Sequence, residues 1–153
     1  MIVKKMPILQ GFPDPDTVKF LSSTELKLSE FTPAFYDIET TGLSRYSTFV
    51  YLIGAVKWEQ NQWILTQWLG ESPEEEALII REFTNYLQDS TYTIQYNGDR
   101  FDQPYLEERC RKNELPSPFE GLASIDVYQV LKSCQSLFKL SRMKQPDLEN
   151  LFH

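Results

Sequence analysis

The chain has 153 residues, 41% apolar and 24% charged, which suffices for one packed core and is cramped for two. Fifteen basic against 22 acidic residues leave a net charge of −7, excluding chain-wide attraction as the main source of any binding to nucleic acid or anionic membrane. Cys110 and Cys134 form no C-x-x-C pair, and the longest apolar stretch, Phe49 to Trp58, falls far short of the roughly 20 residues a spanning helix needs; a cytoplasmic, membrane-free protein is expected.

Residues 1–30 lack clean periodicity and carry the turn-forming cluster Gly11-Phe12-Pro13-Asp14-Pro15-Asp16, so they read as an irregular lead-in to a domain over 31–153. Ala34 to Glu39 reads as a strand that stops at Gly42. Val50 to Trp58 is a second strand. The polar turn Glu59-Gln60-Asn61-Gln62 leads into a third, Trp63 to Leu69, and the three form an antiparallel meander. Ser72-Pro73-Glu74-Glu75 has the form of a capping box, and Ala77, Ile80, Phe83, Tyr86 and Leu87 continue one helical face. A strand over Thr91 to Tyr96 ends at Asn97-Gly98, and a helix follows over Asp102 to Lys112. Leu122 to Ile125 is a further strand, and Asp126 stands at the N-cap position of a last amphipathic helix through Leu137. A short helix is expected to start near Asp147.

The order β-β-β-α-β-α-β-α predicts an α/β layer fold with a five-stranded mixed sheet, parallel where helices supply the crossovers. The opening meander favours a ribonuclease H-like sheet over a doubly wound nucleotide fold, which opens with strand and helix.

Asp37 and Glu39 lie two residues apart on the first strand, so both side chains fall on one side at its carboxyl end. Two such carboxylates repel unless a cation such as Mg²⁺ or Mn²⁺ sits between them, although a solvated pair satisfies the same pattern. Asp102 is delivered by a strand-turn-helix junction. If the fourth strand lies parallel to the first, Asp102 converges on the pair. A helix N-cap is the competing role for Asp102.

Phe35-Tyr36-Asp37-Ile38-Glu39-Thr40-Thr41-Gly42-Leu43 resembles the first motif of the DEDD superfamily of 3′→5′ exonucleases, and Asn97 to Leu106 resembles the second. The pattern Asn-Gly-x-x-Phe-Asp-x-Pro-x-Leu, with Tyr51-Leu52-Ile53-Gly54, is most similar to the YprB-type ribonuclease H-like domain of bacteria. The resemblance implies that Asp37, Glu39 and Asp102 ligate two Mg²⁺ or Mn²⁺ ions and are the catalytic residues. It also implies that Thr40, Thr41, Gly42 and Leu43 lie against the terminal nucleotide and that Asn97 contacts substrate or holds the turn. The implied reaction is hydrolysis at the 3′ end of single-stranded DNA or RNA. Arg100 is a candidate phosphate contact, and Phe101 is expected to pack inward.

The superfamily's fourth acid, with its Tyr or His partner, has no match after Asp102, and the resemblance therefore implies a domain that is C-terminally incomplete. Asp126 is the remaining candidate ligand, with helix capping as its competing role. Val127 to Pro146 carries no acid but has Lys132, Lys139, Arg142 and Lys144, which suits a phosphate-binding flank or a solvated face. Without the fourth acid, a catalytically impaired remnant that binds nucleic acid or protein is the alternative reading.

Overall fold

The computed structural model describes residues 1–8 and 32–132. It contains strands β1 (Ile2–Pro7), β2 (Pro33–Thr40), β3 (Val50–Glu59), β4 (Gln62–Leu69), β5 (Tyr92–Gln95) and β6 (Ala123–Asp126), with helices α1 (Glu76–Leu87), α2 (Asp102–Lys112) and α3 (Val127–Lys132). The strands form one mixed sheet in the order β1-β4-β3-β2-β5-β6. The meander β2-β3-β4 is antiparallel, whereas β5 runs parallel to β2 and β6 parallel to β5. This is the ribonuclease H-like α/β arrangement expected from the element order.

Among the described residues the sheet has six strands where five were expected. The additional strand, β1, lies in the expected irregular lead-in and pairs antiparallel with β4 from Ile2↔Leu69 to Pro7↔Ile64. Its residues are almost all exposed, so it carries no hydrophobic alternation; ladder hydrogen bonds at a sheet edge hold it. The expected capping box also takes another form. Ser72 makes no side-chain cap bond. The Glu75 carboxylate instead accepts the Glu71 N–H at 2.8 Å and the Met1 amino group, tying the N-terminus to a 3-10 turn at Pro73–Glu75.

The larger core cluster lies on one face of the sheet, and a smaller one around Val56, Trp63 and Ile94 lies on the other. Ala34, Tyr36 and Ile38 of β2, Ile53 and Ala55 of β3 and Trp68 of β4 pack with Ile79, Ile80, Phe83 and Leu87 of α1 and Tyr105, Leu106 and Cys110 of α2. Phe101 packs against the same cluster, as expected. Burying side chains of this size is worth about 1.5–3 kcal/mol each. Period-two geometry then forces Asp37 and Glu39 onto the opposite face. Among the described residues no helix is long and apolar enough to cross a membrane. The predicted helix near Asp147, the continuation of α3 past Lys132, and Lys139, Arg142 and Lys144 lie outside the described residues.

Candidate active site

β2 places Asp37 and Glu39 at its carboxyl end, both exposed on one face. The register shifts between Glu39 and Thr40, a bulge that re-aims the chain as it leaves the sheet. On the other side of β2 the parallel ladder with β5 ends at Phe35↔Ile94. Beyond it, the Ile38 N–H donates to Asp102 Oδ1 at 3.3 Å. Asp102 is thereby held against the main chain between Asp37 and Glu39, although it arrives from a different strand-turn-helix unit.

The electrostatics report the same proximity. Asp102 is 5% exposed, and burial together with the Asp37 charge lifts its pKa from the ordinary 3.8 to about 6. Asp37 is raised as well, by desolvation and then by Glu39. The acids thus form a mutually repelling set of hard oxygen donors, the chemistry a divalent cation suits. Among the described residues, however, no three His, Cys, Asp or Glu side chains converge as a metal-ligating group. Asp102 instead leans on the backbone of β2, through Ile38.

Beside Asp37 and Glu39 the sheet surface opens into a depression of about 440 Å³, lined by Phe35, Leu52, Gly54, Val56, Leu65 and Gln67 among others. Gly54 sits opposite Asp37 in the β2–β3 register, and a Cβ there would meet nothing within 4 Å. The missing side chain is what leaves space next to the acid.

Asp126 is 4% exposed and its oxygens face backbone donors: Oδ1 accepts from Asn97 at 2.8 Å and from Tyr128 at 2.9 Å, and Oδ2 from Asp99 at 3.3 Å. It caps α3 and holds the turn before α2. That turn needs support, because Asn97 has φ 61° and a Cβ on Gly98 would lie 2.1 Å from Gln95 Cγ. Gln95 Nε2 donates to Asp99 Oδ1 at 2.8 Å and to Ser124 Oγ at 2.7 Å, completing the brace. Arg100 is exposed at the end of the same turn.

Thr40 to Leu43 open the loop from β2 to β3. Thr40 Oγ1 donates to the Gly42 carbonyl at 2.9 Å, Thr41 is exposed, and Leu43 is 89% exposed. Three pins of this loop escaped sequence reasoning. Thr48 Oγ1 lies 2.5 Å from the Tyr105 hydroxyl and 3.0 Å from the Gly42 carbonyl, and Arg109 Nη1 donates to the Arg45 carbonyl at 3.2 Å. Arg109 is fixed in turn by a buried bidentate pair with Glu76, at 2.7 and 2.6 Å. Glu76 also accepts the Val50 N–H at 2.8 Å and Asn113 Nδ2 at 3.0 Å. The available signal was a charge on an apolar helix face: Glu76 shares the spacing of Ile79, Ile80 and Phe83, and Arg109 that of Tyr105 and Leu106.

The family model of the RNase H superfamily matches residues 34–152. The chain belongs to the RNase H superfamily. Escherichia coli exonuclease I in complex with a dT13 oligonucleotide is similar in structure, with a TM-score of 0.57 and 15% identity over 74% of this chain and 31% of that one. A product-bound structure of exonuclease I gives 0.58 and 16% over 74% and 34%. The family B DNA polymerase of the hyperthermophilic archaeon Pyrobaculum calidifontis gives 0.56 and 18% over 67% and 16%. The chain spans about a third or less of these proteins' length. No curated protein matches it. The family match and these likenesses show the RNase H-like fold of the chain.

Proposed function

We propose that this protein is a metal-dependent 3′→5′ exonuclease of the DEDD group, of the YprB type, hydrolysing phosphodiester bonds at single-stranded DNA or RNA ends. The observation that carries the reading is the Ile38–Asp102 hydrogen bond, which brings an acid from the second motif to the main chain between the two acids of the first. Asp37, Glu39 and Asp102 would hold Mg²⁺ or Mn²⁺, and Asp126 is assigned to the turn and cap that deliver Asp102. Bound divalent ions in such a set lower the pKa of a coordinated water and stabilise the departing 3′ oxygen. The chain's own residues do the rest: Thr40 to Leu43 present backbone and side chains toward the terminal nucleotide, the depression beside Asp37 offers it room, and Asn97 and Arg100 flank the entry of α2. The buried free thiol of Cys110 suits a cytoplasmic setting.

The test is a labelled single-stranded oligonucleotide incubated with Mn²⁺ or Mg²⁺. The proposal expects a ladder that shortens from the 3′ end and vanishes with chelator or in Asp37→Ala. The second reading, an impaired remnant that binds without turnover, is favoured by the absence of a three-acid ligating cluster among the described residues. It expects oligonucleotide retention with no ladder.

A further inference from the structure

The loop over 41–49 is ordered from below and bare on top. Its base is closed by Thr41 N–H to the Phe49 carbonyl at 3.0 Å and by Phe49 N–H to Thr41 Oγ1 at 3.2 Å. Thr48 Oγ1 lies 2.7 Å from the Ser44 carbonyl, Tyr105 Oη donates to the Gly42 carbonyl at 3.3 Å, and Arg109 holds the Arg45 carbonyl. Such pinning removes backbone freedom before any ligand arrives, which cuts the cost of binding. The side chains gain nothing from it, since Leu43 is 89% and Tyr46 64% exposed.

An aromatic ring held in solvent on a rigid loop is a surface for another flat group. The Arg45 guanidinium carbon lies 5.4 Å from the Tyr46 ring centroid, adding a cation at the same point of an acidic chain. Aromatic faces on which bases stack, beside cations that meet phosphates, are the two components of sequence-tolerant single-strand binding. The loop continues from Glu39 through Thr40, and the Tyr105 that pins it lies three residues after Asp102 on α2. We propose that Arg45 and Tyr46, on the loop that leaves the acid-bearing strand β2, form a platform for single-stranded nucleic acid, Tyr46 stacking on a base and Arg45 meeting the adjoining phosphate. The choice of ligand rests on the nuclease reading of those acids.

The test measures anisotropy of a labelled 12-nucleotide oligothymidylate, and of an abasic strand of equal length, with the full chain in chelator. Tyr46→Ala is expected to weaken oligothymidylate binding by about 5- to 100-fold and to leave the abasic strand unchanged, while Tyr46→Phe binds both like the wild type. Arg45→Ala is expected to weaken both strands and to flatten the salt dependence. Unchanged oligothymidylate binding by Tyr46→Ala, or equal loss on both strands, overturns the platform. Adding Mn²⁺ separates the two claims. Hydrolysis by the wild type with Tyr46-independent binding removes the platform alone, and Tyr46-dependent binding without hydrolysis removes the nuclease reading alone. If the wild type binds neither strand in chelator, the platform falls and the loop is left to a protein partner, while hydrolysis with Mn²⁺ still decides the nuclease reading by itself.

Discussion

The Ile38 main-chain N–H donates to Asp102 Oδ1 at 3.3 Å, joining positions 64 residues apart in the sequence. The bond forms where β5 has parted from β2, so a helix-borne carboxylate takes a backbone donor that the sheet no longer uses. Its consequence is an aspartate buried beside another acid, with its pKa raised to about 6.

A raised carboxylate pKa means that the fold favours the protonated form. The contribution of Asp102 to stability is therefore greatest below its ordinary value of 3.8 and is lost as the pH rises through about 6. In chelator at pH 7.5, Asp102→Asn is expected to be more stable than the wild type by up to about 3 kcal/mol, because the amide still accepts the Ile38 N–H and no charge is buried. Thermal melts from pH 4 to 8 check this. The gap should close toward pH 4, and Mn²⁺ should raise the melting temperature of the wild type but not of the variant.

Asp126 gives a prediction of opposite character. Removing its three backbone contacts in Asp126→Ala should cost about 1–3 kcal/mol in urea denaturation. Mn²⁺ affinity in Asp126→Asn should stay within a few-fold of the wild type. A loss of affinity as large as that of Asp37→Ala would make Asp126 a ligand after all.

The Glu76–Arg109 pair, with its members 2% and 5% exposed, anchors the loop over 41–49 and the start of β3. Arg109→Met leaves a buried carboxylate without its cation and should cost about 3–5 kcal/mol. The double variant Glu76→Leu with Arg109→Met should recover only part of that loss, because the buried Val50 N–H then lacks its acceptor, as denaturation midpoints would register. Its KM for oligonucleotide should still rise, because the Arg45 carbonyl has lost its pin.

Gly54 tests the depression beside Asp37. A Cβ at this position meets nothing within 4 Å, so Gly54→Leu should fold with a melting temperature near that of the wild type. The added side chain fills the space next to the acid, and kcat/KM on a single-stranded substrate should fall about tenfold or more, measured by release of labelled nucleotide.

β2 was legible because its period-two pattern coincides with burial, as Ala34, Tyr36 and Ile38 show, whereas β5 and β6, with burial patterns that do not alternate, were legible from β-branched and apolar residues ahead of the turn and helix signals that follow them. β1 was not legible. It is held by backbone pairing at an edge, and a strand with no buried face leaves no pattern to read. Within the candidate site, the acids were found through their motifs, whereas the lean of Asp102 onto Ile38 depends on where the β2–β5 ladder ends. The Glu76–Arg109 brace was half visible as charges on apolar helix faces, but their pairing across 33 residues is a product of packing α1 against α2.

The most direct test of the proposed cation site is calorimetric titration of Mn²⁺ into the chelator-stripped full chain, beside Asp37→Asn, Glu39→Gln and Asp102→Asn. The account predicts saturable binding by the wild type and at least a tenfold weaker affinity in each variant, Asp102→Asn included. Binding by Asp102→Asn equal to that of the wild type, or no binding by the wild type, would contradict it.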